Sequence, residues 1–288
     1  MFRTNRLEYM KISDILRRKG GKDMKKLNLY AFEGIPLIQQ GDDIGTVICE
    51  VAKKESFSFE NGDIVVVTSK IVSKAEGRLV DTYKIKPSKE TLLLAKKSEI
   101  DPRTLEVILQ ETRRLLIARS DLLLTEDRLG FISTKAGVDS SNTLPGQKGQ
   151  VVSLLPKNPD ASAKRIRQAI KKGTGKRIAV IINDTFGRPD RLGSVGMAIG
   201  ISGIVAVYSP PTREDIHGKK RHPEIAQVDE IAAAASLVMG QTNERRPVVV
   251  VRGVEYKASE TDRIKNLLHP TTKYIQDALE ITKQIKEE

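Results

Sequence analysis

Short continuous runs of apolar residues are the main feature of the hydrophobic pattern along the chain. Three of them, Ile64–Val67, Ile178–Ile182 and Val248–Val251, lie between polar or turn-forming positions. Apolar runs of this length are typical of buried strands. A fourth stretch, LNLYAFEGIPLI, predicts a strand that enters a glycine-proline turn.

Helix signals occur between these strands. Asp42-Asp43 opens a helix over IGTVICEVAKK, because an aspartate at a helix start accepts hydrogen bonds from free backbone N–H groups. Residues 86–121 are predicted to be helical, with Asp101 as an N-cap, Pro102 in the first turn and the segment RRLL within the helix.

The second half of the chain shows the same alternation. Asp160 is predicted to cap a helix over DASAKRIRQAIKK that Gly173 stops, and the alanine-rich helix VDEIAAAASLVM ends at Gly240. Between them, SVGMAIGISGIVAV alternates small and apolar residues, which indicates a tightly packed backbone or a pair of strands.

The mixture of helices and strands, without strict alternation, predicts an α+β (mixed α/β) fold. Residues 1–26 are interpreted as a polar N-terminal extension, with Met24 as an alternative start. Residues 27–254 are expected to form the main unit, with a division into two subdomains somewhere within 85–160. Residues 255–288 are predicted to form a polar, mostly helical tail.

Composition narrows the class of partner. The chain has 288 residues, a net charge of +12 and a pI of about 9.6, which favours polyanionic ligands. Aromatic residues are only 4% and no nucleic-acid module is recognisable, so phosphorylated small molecules rank above nucleic acid. The sequence shows neither a membrane span nor a secretory signal. With a single cysteine, this predicts a cytoplasmic protein.

Polar clusters follow several of the apolar runs. Lys70 and Lys74 follow the first, Asp139 lies in AGVDSSN, and the run AVII stops at Asn183-Asp184-Thr185. Carboxylates and hydroxyls at strand ends suit Mg²⁺ or Mn²⁺, so Asp139 and Asp184 could share one metal. An ordinary capped turn explains the same residues, and the sequence pattern by itself favours the turn.

The arginines that follow, in GRPDRLG, carry the same two interpretations. Arg188 and Arg191 could stabilise a transferring phosphoryl group, or they could be surface residues of a plain turn. No GxxxxGKS/T phosphate loop and no GxGxxG fingerprint occurs in the sequence.

Seven motifs, in order, closely resemble one known family. They are GIPLIQQGDDI, TSKIVSKAEGR, RRLL, AGVDSSN, LLPKNPDASA, NDTFGRPDRLGSVGMAIGISG and AASLVMGQ. The family is that of the coenzyme F420-0:L-glutamate ligases, the archaeal-type gamma-glutamyl ligases, and the resemblance runs from about Leu27 to Gly253. It implies a two-domain α+β fold without a phosphate loop, and an intertwined homodimer.

The resemblance also implies an activity. Members of the family use GTP to join L-glutamate to the terminal carboxylate of coenzyme F420-0, then add a further gamma-linked glutamate. GDP and phosphate are released, which indicates an acyl-phosphate intermediate. Two divalent ions, Mg²⁺ or Mn²⁺, are required, and K⁺ assists.

The site residues implied by the resemblance fall into two sets. The metal ligands are Asp139, Asp184, Thr185 and Gln241. The nucleotide contacts are Ile35, Pro36, Leu37, Ile38, Ser69, Lys70, Lys74, Asn142, Met239, Gly240, Gln241, Thr242, Asn243, Glu244, Arg245 and Arg246. Arg188 and Arg191 are our own assignment as catalytic residues that contact substrate or the transition state.

Two other functions remain open at this stage. One is a related nucleotide-dependent amide ligase that acts on another carboxylated, phosphorylated cofactor. The other is a non-catalytic nucleotide-binding or RNA-binding protein that uses the basic surface. GTP hydrolysis that depends on both glutamate and the deazaflavin acceptor would distinguish the lead hypothesis from both.

Overall fold

The computed structural model describes residues 25–120, 122–143, 150–188, 191–210 and 214–269. Within these residues the chain forms ten strands and six α-helices. The strands are β1 (Asn28–Phe32), β2 (Ile64–Thr68), β3 (Leu79–Asp81), β4 (Thr112–Ala118), β5 (Leu123–Asp127), β6 (Ile132–Thr134), β7 (Val151–Ser153), β8 (Ala179–Arg188), β9 (Arg191–Ser202) and β10 (Val248–Arg252). The helices are α1 (Ile44–Lys54), α2 (Ser69–Ala75), α3 (Lys89–Ser98), α4 (Pro102–Glu111), α5 (Pro159–Thr174) and α6 (Gln227–Met239).

A five-stranded sheet with the order β1-β10-β2-β8-β9 forms the centre of the molecule. Strands β2 and β8 are parallel, and the other neighbours are antiparallel. All of Ile64–Val67 and Val248–Val251 are fully buried. Because consecutive side chains point to opposite faces, both faces of the sheet are covered at these strands. The three buried strands predicted from the apolar runs are confirmed.

The helices around this sheet begin and end largely where the sequence predicts. Asp43 caps α1, where its carboxylate accepts a hydrogen bond of 3.0 Å from the Thr46 N–H. Asp101 caps α4, and α6 ends at Gly240. None of the helices in the described ranges is both long enough and apolar enough to cross a membrane.

Helix α5 differs from its prediction at both ends. Its N-cap is Asn158, whose side chain accepts from the Ala161 N–H, and it ends at Gly175 with φ of 71°. Asp160 lies in the first turn, where its carboxylate accepts from the Ile201 N–H instead. Gly173 lies inside the helix, and a Cβ atom there would lie 3.0 Å from the Cys49 sulphur. Packing, not chain termination, therefore explains this glycine.

Strand β8 continues past the position where its apolar run ends. The last pair between β2 and β8 is Thr68 with Asn183, but β8 extends to Arg188 alongside β9. The prediction that the strand stops at Asn183-Asp184-Thr185 is therefore wrong. Pairing with β9 keeps these polar residues in the strand while β2 has already turned away.

A second core cluster lies outside the central sheet. It includes Leu105 and Ile108 of α4, Leu123 of β5 and Val152 of β7. A three-stranded sheet, β4-β5-β6, and a two-stranded sheet, β3-β7, lie in this part of the chain. The cluster falls mostly within the range 85–160 in which we predict a subdomain boundary, and the division into subdomains stays a prediction.

Residues 112–118 are a strand, so the prediction of a helix that contains RRLL is wrong. The Thr112 hydroxyl donates to the Ile108 carbonyl (2.7 Å) where α4 ends. Arg113 and Arg114 then lie 3.2 and 3.5 Å from the buried Glu126 carboxylate. A buried carboxylate requires charged or hydrogen-bonding partners, and strand pairing with β5 supplies them.

The two ends of the chain lie partly outside the described residues. Residues 1–24 and 270–288 are not described, so the N-terminal extension and most of the tail stay predictions. In the described part of the tail, residues 255–269, the only helical element is a 3-10 turn at Ile264–Leu267. This part packs against the main unit instead of forming an α-helix, because the backbone carbonyl of Lys257 accepts from Val205 and Arg167 pairs with Glu260.

We expect Gly200→Ala to destabilise the fold by about 3 kcal/mol. A methyl group at Gly200 would lie 2.4 Å from the Cβ atom and 2.5 Å from the carbonyl carbon of Pro159, at the start of α5. Urea unfolding measures the loss. Gly187→Ala is the control, because the nearest atom to its added methyl lies 4.0 Å away. Equal losses for the two variants would contradict the packing argument.

Candidate functional site

A cavity of about 790 Å³ opens at the carboxyl end of β2. Its walls come from the turn after β1, from α2, from the segment after β6, from β8 and β9, and from the end of α6 with the loop that follows. Ligands of α/β sheets bind at the carboxyl ends of parallel strands, where the loops diverge. The cavity volume is within the range of small-molecule sites.

Helix α2 begins immediately after β2 and brings two lysines to the cavity. Lys70 and Lys74 are four residues apart, so they lie on one face of this helix. The Lys70 ammonium donates to the Asp139 carboxylate at 2.6 Å and also to the Ser141 hydroxyl. The Lys74 ammonium donates to the Asn142 carbonyl at 2.8 Å. The helix was not predicted, because its seven residues are too short for a periodic signal.

Asp139 is held in place by backbone and side-chain contacts. Its N–H and carbonyl pair with Ser153 at 3.0 and 2.7 Å, which fixes the loop against β7. Its carboxylate accepts from the Ser141 N–H at 2.8 Å and from the Ser141 hydroxyl at 2.7 Å. Burial raises the pKa of Asp139, but Lys70 and the Ser141 donors outweigh this effect and hold the pKa below its ordinary value.

Asp184 lies on β8 at the base of the cavity. The Ser69 hydroxyl donates to its carboxylate at 2.5 Å. Burial raises the pKa of Asp184 to about 6, and the negative charge of Asp139 contributes to the rise. Thr185, the next residue, donates its hydroxyl to the Gln241 side-chain carbonyl at 3.2 Å. A partly buried carboxylate beside a second carboxylate is an arrangement that a cation would stabilise.

The donor set at this point suits hard divalent cations. Asp139, Asp184, Thr185 and Gln241 all line the cavity, and each presents oxygen atoms. Mg²⁺ and Mn²⁺ take carboxylate, hydroxyl and carbonyl oxygens, usually with substrate phosphates and water. Within the described residues there is no group of three or more His, Cys, Asp or Glu side chains arranged to hold a metal, so the candidate set relies on two carboxylates.

The loop after α6 forms another wall and is tied to the Asp139 loop. The Asn142 side-chain amide donates to the Thr242 carbonyl at 3.0 Å. The Glu244 carboxylate accepts from the Thr242 N–H at 2.8 Å, which folds the loop on itself. Arg246 pairs with Glu33 at 2.7 Å, next to the turn that carries Ile35–Ile38. Every residue assigned to nucleotide or metal by resemblance lines this one cavity.

Arg188 and Arg191 lie outside the cavity wall. They pair with each other across the far end of the β8–β9 hairpin, and neither is among the cavity-lining residues. Within the described residues the Arg188 Nε atom is buried without a hydrogen-bond partner. Their position gives no support to a direct role in this conformation, and the assignment stays a prediction.

Several cavity residues were given no role in the metal or nucleotide site from the sequence. They are Thr68, Ile71, Thr134, Lys135, Gly137, Val138, Ser141, Asn183, Ser194, Ser236 and Pro247. Most belong to the recognised motifs themselves, whereas Thr134, Lys135 and Pro247 lie outside them. Only the fold shows which of these residues line the cavity. Lys135 had a possible signal, since it lies four residues before Asp139 in a turn that contains a glycine.

Asp127 is a buried carboxyl group close enough to Asp184 to be affected by its charge. Burial raises the pKa of Asp127 to about 6, against hydrogen bonds from backbone N–H groups that lower it. The protonated form is therefore favoured in the folded state. The stability that the protonated Asp127 carboxyl contributes is fully present below the unfolded pKa of 3.8. It is lost as the pH rises through the folded pKa of about 6.

We therefore expect Asp127→Asn to be more stable than the wild type at pH 8, by about 1 kcal/mol. The Asn side-chain carbonyl keeps the hydrogen bonds from the N–H groups of Leu129 and Phe131. Free energies of unfolding in urea at pH 8 and pH 4 measure the difference, which should decrease at the lower pH. If Asp127→Asn gains less stability over the wild type at pH 8 than at pH 4, the predicted direction of the pH dependence is wrong.

The fold and the cavity define a mixed α/β protein with a cavity, lined by lysines and oxygen donors, where the parallel pairing of β2 with β8 ends. Residues 34–253 match the model of the F420-0:gamma-glutamyl ligase family. Since this match covers most of the chain, the chain belongs to the F420-0:gamma-glutamyl ligase family, and it is a ligase.

Three archaeal relatives carry the name coenzyme F420:L-glutamate ligase. The protein of Methanocaldococcus jannaschii is 41% identical over 81% of this chain and 90% of its own length. That of Methanothermobacter thermautotrophicus is 39% identical over 85% and 96%, respectively. That of Methanopyrus kandleri is 39% identical over 81% and 90%. The family resemblance identified from the seven motifs is confirmed.

Proposed function

We propose that this protein joins L-glutamate to coenzyme F420-0 at the expense of GTP, and then adds a further gamma-linked glutamate. Family membership and the names of the relatives support coenzyme F420-0 and L-glutamate as the substrates that are joined. The observation that carries the proposal is that all the nucleotide and metal residues expected from the resemblance line a single cavity. Segments as distant in sequence as Ile35 and Arg246 meet there.

The reaction proceeds in two balanced steps. A carboxylate oxygen of coenzyme F420-0 attacks the γ-phosphorus of GTP, the bond to the β-phosphate oxygen breaks, and GDP leaves. The neutral amine of glutamate then attacks the acyl-phosphate carbon, phosphate leaves, and the nitrogen loses a proton. Both steps bring anionic groups together, so the site must offset their repulsion.

The chain's own residues are assigned these tasks. Lys70 and Lys74 neutralise phosphate oxygens, and the turn at Ile35–Ile38 with the loop Met239–Arg246 holds the nucleotide. Asp139 and Asp184 would hold one divalent ion, with Thr185 and Gln241 at a second. When bound, Mg²⁺ or Mn²⁺ supplies positive charge to the phosphates, and K⁺ assists.

The homodimer expected from the resemblance belongs to the same proposal. Strand β4 is an edge strand, and its Leu115 and Ile117 side chains are each 38% exposed. An uncovered apolar edge of this kind is suited to a second copy of the chain. Sedimentation equilibrium should give twice the chain mass; the mass of a single chain would contradict the homodimer.

The decisive experiment is mass spectrometry of coenzyme F420-0 after incubation with the protein, GTP, Mn²⁺ and glutamate. The expected product has gained one glutamyl residue, then a second, with one GDP released for each. Reactions without glutamate, without acceptor or with chelator are the controls and should form no glutamyl product. No gain of glutamyl mass would refute the function.

The same assay separates the two alternatives. A related ligase would leave coenzyme F420-0 unchanged but would couple GTP hydrolysis to another carboxylated cofactor. A binding protein would show no coupled hydrolysis with any acceptor. Salt-sensitive RNA binding without turnover would favour that second alternative.

A further inference from the structure

A left-handed turn connects β6 to Asp139. Lys135, Ala136 and Gly137 all have positive φ, at 57°, 50° and 68°. Two of these three residues carry a Cβ atom, and this backbone region is unfavourable for such residues. Consecutive residues in this conformation persist only where the surrounding structure holds them there, and they occur often at functional sites.

Contacts on every side fix this turn. The Ala136 N–H donates to the Thr125 hydroxyl at 2.8 Å, and the Ala136 side chain is only 2% exposed. The Val138 N–H donates to the Lys135 carbonyl at 2.9 Å. A Cβ atom at Gly137 would lie 2.6 Å from the Leu155 side chain, so only glycine fits. The backbone of Lys135 is therefore set before any ligand binds.

The turn places the ammonium of Lys135 on the cavity wall, without a hydrogen-bond or ion-pair partner among the described residues. The cationic residues that line the cavity are Lys70, Lys74, Lys135, Arg245 and Arg246. Lys70, Lys74 and Arg246 are held by Asp139, Asn142 and Glu33, respectively. Within the described part of the chain, no hydrogen bond or ion pair holds the ammonium of Lys135.

Strand β8 shows on which side of the metal residues Lys135 lies. Thr185 contacts Gln241 in the loop assigned to the nucleotide. Gly187 lies two residues further along the strand, or about 6.6 Å, and is next to Thr134, the neighbour of Lys135. The part of the cavity wall around Lys135 is therefore on the opposite side of Thr185 from the nucleotide loop. Arg245, the other cavity-lining cation without a hydrogen-bond or ion-pair partner among the described residues, belongs to the nucleotide loop itself.

We propose that Lys135 binds an oxyanion of the substrates other than the nucleotide. This group is a carboxylate of the amino acid, or a carboxylate or phosphodiester of the acceptor, and the assignment rests on the proposed ligase function. An ammonium on a fixed backbone loses little conformational entropy when it binds such an anion. Lys135 thus acts as a specificity residue on the side of the cavity away from the nucleotide loop.

Two variants of Lys135 test the assignment without disrupting the turn. Lys135→Asn removes the charge, and asparagine adopts left-handed backbone more readily than most residues. Lys135→Arg keeps the charge. Lys176→Asn is the matched control, since Lys176 is an exposed lysine in a loop that does not line the cavity. Melting temperatures of all three confirm that each variant is folded.

Steady-state kinetics with each substrate varied in turn give the result. Lys135→Asn should raise the KM for glutamate or for coenzyme F420-0 by about tenfold, the effect of losing one charged contact. The KM for GTP should stay within about twofold, Lys135→Arg should restore most of the affinity, and Lys176→Asn should match the wild type. The substrate whose KM rises identifies the source of the oxyanion.

Two outcomes would overturn the assignment: a rise in the KM for GTP alone, or unchanged KM values for all substrates. If the wild type forms no glutamyl product, the proposed function fails separately. Titration calorimetry of wild type and Lys135→Asn with coenzyme F420-0 and with glutamate then decides the role of Lys135. Weaker binding of either ligand to the variant supports it, and equal affinities for both ligands contradict it.

Discussion

Replacing Asp184 with asparagine is expected to lower metal-dependent turnover by at least about 1,000-fold while leaving the fold intact. The substitution removes the negative charge that would hold a divalent ion at the base of the cavity. The Asn side-chain carbonyl can still accept the hydrogen bond from the Ser69 hydroxyl. Because burial disfavours the ionised carboxylate, the neutral variant should melt at the same temperature as the wild type or higher.

Single-turnover assays across a range of Mn²⁺ concentrations, with calorimetric melting of the same samples, test this expectation. Asp101→Asn is the matched control, because Asp101 caps α4 away from the cavity and asparagine is an equally good N-cap. Near-normal activity of Asp184→Asn would refute its assignment as a metal ligand. A large decrease in melting temperature would show that the carboxylate has a structural role instead.

Lys70→Met is expected to produce the second-largest loss, about 100- to 1,000-fold in kcat/KM for GTP. Lys70 has two partners on the Asp139 loop, the Asp139 carboxylate and the Ser141 hydroxyl. Without the ammonium, the Asp139 carboxylate loses its counter-charge, and a cation is also missing beside the phosphates. Methionine has a similar length, so the packing of the aliphatic stem is largely kept.

Initial-rate kinetics with GTP varied at saturating glutamate and acceptor measure this loss. Lys176→Met is the control for removal of a lysine outside the cavity. Lys70→Arg keeps the positive charge but replaces the compact ammonium with a planar guanidinium, so it should recover only part of the activity. A Lys70→Met enzyme within about tenfold of the wild type would contradict the nucleotide role of this residue.

The sequence was sufficient for the elements whose signals are local. The apolar runs at Ile64–Val67 and Val248–Val251 predicted buried strands, and the side chains of Asp43 and Asp101 form the predicted caps. A run of apolar residues needs the same environment on both faces, and a cap needs only its own helix. Both signals lie within a few residues of the element that they predict, whichever parts of the chain cover it.

Elements that depend on a partner elsewhere were not predictable in this way. Residues 112–118 have reasonable helix propensity, but pairing with β5 and the buried Glu126 makes them a strand. The polar end of β8 is a strand only because β9 lies beside it. Tertiary pairing overrides local preference in both places.

The candidate site was predictable only through resemblance. Spacing alone favoured a capped turn over a metal site at Asp139 and Asp184, and nothing local indicated that Ile35 and Arg246 would meet at one cavity. Lys135 was missed for a different reason. Its position depends on a left-handed turn that a lysine and an alanine rarely adopt, so the local signal was limited to Gly137 and the nearby Asp139.

The continuation of β8 past the end of β2 also determines how ligands enter and leave. Asp184 and Thr185, at the base of the cavity, pair with Met197 and Gly196 of β9. This floor of the cavity is therefore held by strand pairing before any ligand binds. Opening for exchange of substrate and product must therefore come from the irregular walls, chiefly the loop Met239–Arg246, which has no regular secondary structure after Met239. Amide hydrogen exchange should accordingly be slow along the floor and fast in that loop, and nucleotide should slow it in the loop alone.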